Sequence, residues 1–247
     1  MRNKKYYPLA LIQLSCFMLL CSVNTQAQTE TEAPQSHERM YQVELIVFAR
    51  NQVSAEEHWP SNIKLAYPDN LINLTADANS SEEFSILAPN ARMLNLQANT
   101  LSKGSYSLLY HQAWRQMIYG RKTNIAISGG KKFNGHQELE GSIALSVGQF
   151  LRIQTNLWLT QFVPAGTNIT HPAPTHPTPA LKWPALPSMP NTSNSEGDKP
   201  NGYLINRIVK LNQERSMRSN EVHYIDHPLL GIIVKIVPVE MSDVKSN

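Results

Sequence analysis

Residues 138–159 alternate twice. Leu139, Ile143, Leu145 and Val147 interleave with Glu138, Glu140, Ser142 and Ser146, and then Leu151, Ile153, Leu157 and Leu159 interleave with Arg152, Gln154, Asn156 and Trp158. Successive side chains on a strand point to opposite faces, so this pattern is that of two strands, each with one apolar face, joined as a hairpin. Residues that oppose each other share a face. The two odd-numbered apolar sets therefore meet only if the loop at Gly148 has an odd number of residues; a two-residue turn would set Leu145 against Arg152. In the matching register Trp158 opposes Glu140, on the face expected to be wet.

Other stretches extend this β-rich reading. Tyr41 to Arg50 has Val43, Leu45 and Val47 on one side and Ile46 and Phe48 on the other, the pattern of a strand inside a sheet. Leu229 to Val237 reads the same way. Ser105 to Ile118 is extended, and Thr123 to Ser128 is a short strand stopped by Gly129-Gly130. Pro89 to Ser102 reads as a helix, with Met93, Leu94, Ala98 and Leu101 on one face and Gly104 at its end. Asn51 to Glu83 carries no periodic signal, and Tyr203 to Met217 fits helix and strand about equally. The Ser219-Asn220 pair favours a second hairpin there, since Asn tolerates a positive φ and Arg218 would face Glu221. The class is α+β: a mostly antiparallel β-sheet with one or two helices.

Nine of the 16 prolines lie between Pro164 and Pro200, with Thr, Asn and Ser filling much of the rest. Such a composition does not offset the entropy of ordering its own backbone. We therefore expect one domain in two parts, 40–163 and 202–240, around a disordered insertion at 164–201, with a flexible lead-in at 28–39 and a tail at 241–247.

The chain begins with a basic patch (Arg2, Lys4, Lys5), an apolar run from Leu9 to Val23 and a small-residue exit at Thr25-Gln26-Ala27. This is the form of a secretory signal peptide of residues 1–27, too short in its apolar part for the roughly 20 residues that span a bilayer. Export to the periplasm as a soluble product, with no stable membrane insertion, is the expectation. Both cysteines, Cys16 and Cys21, leave with the leader. So do three of the 22 basic residues, which leaves 19 Lys plus Arg against 19 Asp plus Glu. A near-neutral mature chain lacks the basic footprint that nucleic-acid binding requires.

The chain has no Gly-x-Ser-x-Gly, no His-Glu-x-x-His, no phosphate-cradling Gly-rich loop and, once mature, no thiol. No catalytic residue, metal site or cofactor is assigned. The best metal constellation is His223, Asp226 and His227, but on an extended chain His223 and Asp226 face opposite ways. Glu138 and Glu140 suit a pair of glycan-cleaving carboxyls, or an ordinary polar strand face. Trp158, beside Arg152, Gln154 and Asn156, suits stacking on a sugar, or packing beneath another element. Arginine forks match carboxylates, which makes Trp114-Arg115, Arg215 and Arg218 candidates as well; Arg218 has the competing role of pairing with Glu221.

Four stretches, in order, carry a further signal: Tyr41 to Arg50 (YQVELIVFAR) with Trp59-Pro60 downstream, His111 to Gln116 (HQAWRQ), Glu138 to Ile143 (ELEGSI), and the Arg/Glu/His/Asp/Tyr-rich block from Glu214 to Pro228. Together the chain resembles the CsiV family of periplasmic peptidoglycan-binding proteins, named for cell-shape integrity. The resemblance implies peptidoglycan as partner, support of cell-wall assembly, and action with an outer-membrane lipoprotein that activates a bifunctional penicillin-binding protein. The ligand-binding candidates are then Trp158, Arg152, Trp114, Arg115, Arg215, Arg218 and His223. The competing readings are a metal-dependent wall hydrolase or amidase using His223/Asp226/His227, and a pure protein-interaction adaptor. The Pro-rich insertion departs from the family's pattern.

Overall fold

Strand β1 (Arg39–Arg50) is the middle of its sheet, as its two apolar faces require. It pairs antiparallel with β4 (Tyr106–Ile118) on one side and β11 (Leu230–Pro238) on the other. The sheet is completed by β3 (Phe84–Ile86) beside β4 and β10 (Val222–Asp226) beside β11. In this computed structural model the described residues are 39–51, 62–74, 84–133, 135–167, 183–190 and 202–240. The expected leader (1–27), all of the expected lead-in but Arg39, Trp59-Pro60 and the expected tail (241–247) lie outside them.

A second, six-stranded sheet has the order β2 (Leu71–Ile72), β5 (Thr123–Phe133), β6 (His136–Val147), β7 (Leu151–Pro164), β8 (Tyr203–Leu211), with β9 (Glu214–Met217) also on β7. Among the described residues only β2 and β5 pair in parallel, and the other pairs are antiparallel. The inner faces form one apolar core, with Val43, Leu45, Val47 and Trp114 from the first sheet and Ile125, Ile143, Ile153 and Leu157 from the second. A single α-helix among the described residues, α1 (Asn95–Lys103), covers the outer face of the first sheet through Leu94 and Ala98 on Ile46 and Phe48. The α+β class with mostly antiparallel sheet is the observed one.

The β6–β7 register is the one derived from alternation. Val147 faces Leu151 across a three-residue loop, Leu145 faces Ile153, and Glu140 faces Trp158. Three expectations need correction, and one open reading resolves. The helix starts at Asn95, because Pro89–Ala91 form a separate 3-10 turn and Arg92 is extended. Gly129-Gly130 do not stop β5: the strand runs on to Phe133 through a register shift, with Gly130 at φ 79°. Tyr203 to Met217 forms two strands, β8 and β9. Asn220 does adopt a positive φ of 68°, but β9 and β10 on either side of it join different sheets, so no hairpin forms.

Within the Pro-rich stretch, Trp183–Pro190 lies against the domain. The Trp183 indole N–H donates to the Asn206 carbonyl of β8 at 3.1 Å, and Asn73 Nδ2 donates to the Pro190 carbonyl at 3.2 Å. A disordered stretch running unbroken through 164–201 therefore does not describe these eight residues; an indole gains by leaving water when its N–H finds a carbonyl. Residues 168–182 and 191–201 lie outside the described ones.

Candidate functional site

In the first three of the four ordered stretches Glu44, Gln116, Glu140 and Ser142 turn inward, whereas most polar residues of the Glu214 to Pro228 block are exposed. Glu44 of β1, fully buried, accepts from the backbone N–H groups of Met93 at 2.5 Å and Leu94 at 2.9 Å, at the start of α1, and lies 2.7 Å from His111 Nε2 on β4. Buried Trp114 donates to Gln116 at 2.6 Å. Glu140 accepts from the Gln137 N–H at 3.1 Å and from Trp158 Nε1 at 3.4 Å, with His136 Nδ1 3.2 Å away. Arg50, at the end of β1, donates through Nη2 to the Tyr224 hydroxyl at 2.6 Å and to Asp226 at 2.5 Å. Burial of a carboxylate is costly unless its oxygens are bonded, and each buried one here is.

This placement corrects two expectations. Trp158 is fully buried, not on a wet face, and Glu140 is buried with it. The outer face of the β6–β7 pair around Trp158 is covered by the irregular residues 62–70: Tyr67 packs edge-on to Trp158 with ring centres 5.0 Å apart, Asn156 Nδ2 donates to the Ala66 carbonyl, and Lys210 Nζ to the Lys64 carbonyl. Burial first, then the nearby Glu140 carboxylate, pushes the Tyr67 hydroxyl above its ordinary range. Glu138 is separate from Glu140, accepting from the Lys131 N–H at 2.9 Å.

The other candidates divide. Trp114 is sealed in the core, and Arg115 is half-buried on the first sheet with its Nε lacking a partner. Arg215, Arg218 and His223 lie on or beside the β9–β10 turn, and Arg152 stands opposite Ser216 on β7, on the other face from Arg215. Arg152 lies 3.6 Å from Glu214, Arg215 donates to the Tyr224 carbonyl at 2.9 Å, Arg218 and Glu221 stand 4.0 Å apart, and His223 Nε2 donates to the Arg218 carbonyl at 3.1 Å. The facing of Arg218 and Glu221 is as read from the turn.

His223, Asp226 and His227 do not converge. Asp226 is taken by Arg50 and Tyr224, while His227 Nδ1 accepts from the Leu229 N–H. Among the described residues, no group of three or more His, Cys, Asp or Glu is placed to hold a metal ion. None of the described helices is long and apolar enough to cross a membrane.

Sequence reasoning missed a cleft of about 670 Å³ at one end of the sandwich. Ala49 to Asn51 and Ser107 to Leu109 form its wall on the first sheet, and Gly130, Lys131, Glu138 and Leu159 to Gln161 form the wall on the second. Gly129 and Gly130 shape this corner: a side chain on Gly129 would collide with the Leu109 carbonyl, and a Cβ on Gly130 would sit 2.7 Å from Glu138 Oε2. The residues come from five strands, so no local spacing announces the cleft; its volume is that of a small-ligand site.

Two packed sheets thus carry a cationic turn and a polar cleft of ligand size. The chain belongs to the CsiV family: the family model described as "Peptidoglycan-binding protein, CsiV" matches residues 11–239, nearly its whole length. No curated protein and no solved structure matches it.

Proposed function

We propose that this chain is a non-enzymatic, exported protein of the cell envelope that binds peptidoglycan in the periplasm and supports cell-wall assembly, together with an outer-membrane lipoprotein that activates a bifunctional penicillin-binding protein. The observation that carries the binding reading is the family match over residues 11–239. The near-neutral balance of the mature chain, 19 basic against 19 acidic residues, supports recognition by placed groups over bulk charge. Exposed Arg152 on β7, and Arg215 and Arg218 on or beside the β9–β10 turn, are the groups we assign to wall carboxylates, because guanidinium forks pair with carboxylates in two-pronged fashion. Trp158 and Trp114, being buried, act on the fold and not on a sugar ring.

The non-enzymatic reading is favoured over a hydrolase by the divergence of His223, Asp226 and His227. Incubating the protein with purified sacculi, with and without a chelator, and analysing the supernatant tests both parts. Retention on sacculi with no released fragment is expected. Chelator-sensitive release of muropeptides would replace the reading with a hydrolase. Capture of a lipoprotein without any sacculus retention would replace it with an adaptor.

A further inference from the structure

Strand β10 stands at one end of the first sheet, and Ile225 near its end points into the core. The alternation of a strand then turns Val222, Tyr224 and Asp226 to the outer face. There Tyr224 joins a row of rings. Phe48 of β1 lies parallel to Tyr224, with ring centres 6.4 Å apart, and edge-on to Tyr106 of β4 at 5.2 Å. Phe48 has room because it stands opposite Gly231 of β11, where a Cβ would collide with its ring. Phe48 itself is buried, but the two tyrosines that it braces reach solvent, Tyr106 at 39 % and Tyr224 at 40 % exposure. Tyr224 is also fixed at its tip, where its hydroxyl donates to Asp226 at 2.7 Å and accepts from Arg50 at 2.6 Å. Arg50 and Asp226 reach solvent too, with 32 % and 63 % of their side chains exposed.

Apolar side chains exposed singly are ordinary, but exposed rings braced on a shared neighbour form a patch that calls for a ligand. The face of an aromatic ring is electron-rich, so it suits a flat ligand that presents weakly positive C–H groups. Beside the rings, Arg50 and Asp226 neutralise each other, and their exposed parts offer donors and an acceptor with little net charge. A charged peptide end finds no uncompensated charge here, whereas a neutral sugar ring finds both a platform and partners for its hydroxyls. We infer that the outer face of the first sheet around Tyr106 and Tyr224 is a glycan-binding platform: pyranose rings stack on the two tyrosines, and their hydroxyl and acetamido groups hydrogen-bond with Asp226 and Arg50. Resting on the peptidoglycan-binding reading, this gives the sugar strand of the wall to this face and leaves its carboxylates to the arginines. The two surfaces are continuous, since β10 runs from the turn of Arg218 and Glu221 to Tyr224, and Arg215 donates to the Tyr224 carbonyl. Because Phe48, Arg50 and Asp226 hold the Tyr224 ring before any ligand arrives, little side-chain freedom is lost on binding.

Calorimetric titration of the protein without residues 1–27 tests the inference with two probes: a wall tetrasaccharide freed of peptide, and the stem peptide freed of sugar. The tetrasaccharide should bind. Tyr224→Ala and Tyr106→Ala should each weaken it about fivefold, and the double variant more, with stem-peptide affinity unmoved. Tyr224→Phe keeps the ring and loses the tether, so its tetrasaccharide affinity should stay within about threefold of the parent's, a rescue that a purely structural hydroxyl would not give. If Tyr224→Ala folds poorly, Tyr106→Ala and Asp226→Asn, at exposed positions, should still melt near the parent temperature and show the loss. A parent retained on sacculi that does not bind the tetrasaccharide, or unchanged tetrasaccharide affinity in folded Tyr224→Ala and Tyr106→Ala, overturns the platform and leaves the peptidoglycan reading standing. Loss of lipoprotein capture in these variants, with tetrasaccharide affinity unchanged, would make the face a protein interface instead. Absence of binding to both probes and to sacculi overturns the peptidoglycan reading itself.

Discussion

Glu140 and Trp158 face each other across β6 and β7, and the indole N–H donates to the carboxylate at 3.4 Å with both side chains buried. Trp158→Ala would leave a large cavity and a carboxylate short of a donor, so a loss of about 3 to 5 kcal/mol is expected in urea unfolding. Trp158→Phe keeps most of the packing and should cost about 1 to 3 kcal/mol. Folded Trp158→Phe should be retained on sacculi like the parent; selective loss of retention would return Trp158 to the binding face.

The same pair marks the limit of local reading. Alternation and the parity of the loop set the β6–β7 register, because a strand's period of two leaves one solution once the apolar sets must meet. What covers the other face is not a local property. Segment 62–70, which has no periodic signal, supplies Tyr67 and the carbonyls of Ala66 and Lys64. Likewise Asn220 is legible as a turn residue, but the allotment of β9 and β10 to different sheets depends on β7 and β11. The cleft was illegible for the same reason, being assembled from the ends of five strands.

Glu44 ties β1 to the start of α1 and to His111. Glu44→Ala strands two N–H groups beneath the helix and should cost about 3 to 5 kcal/mol, whereas Glu44→Gln, which keeps one acceptor, should cost less. Hydrogen exchange checks the mechanism: protection should fall first in residues 95–103.

The Asp226 carboxyl is held below its ordinary value of 3.8, first by the Tyr224 hydroxyl, which outweighs the opposing effect of burial, and further by Arg50. A lowered carboxyl pKa stabilises the fold above the unfolded value and is lost as pH falls through the folded one. The pair is exposed, so Asp226→Asn should cost less than about 1 kcal/mol at neutral pH. The difference from the parent should close on titration to about pH 2 and stay constant from neutral pH upward to about pH 8, which unfolding curves at several pH values will resolve.

Trp183 and Asn206 give the Pro-rich stretch a structural attachment. Trp183→Ala should lower stability by about 1 to 2 kcal/mol, from lost packing and one hydrogen bond. Replacing 168–182 with a Gly/Ser linker of equal length should lower the melting temperature less than replacing 164–200. Equal and negligible effects would show that the contact contributes nothing to stability.

The most direct test of the account is a sedimentation isotherm of the protein without residues 1–27 against increasing amounts of purified sacculi. Because residues 28–247 hold equal numbers of basic and acidic side chains, diffuse attraction of that part of the chain to the wall is weak, and recognition by placed groups should saturate at a defined stoichiometry and persist at physiological salt. Saturable depletion of the protein from the supernatant is the expected result. No depletion, or depletion that rises without saturating and vanishes at physiological salt, would contradict it.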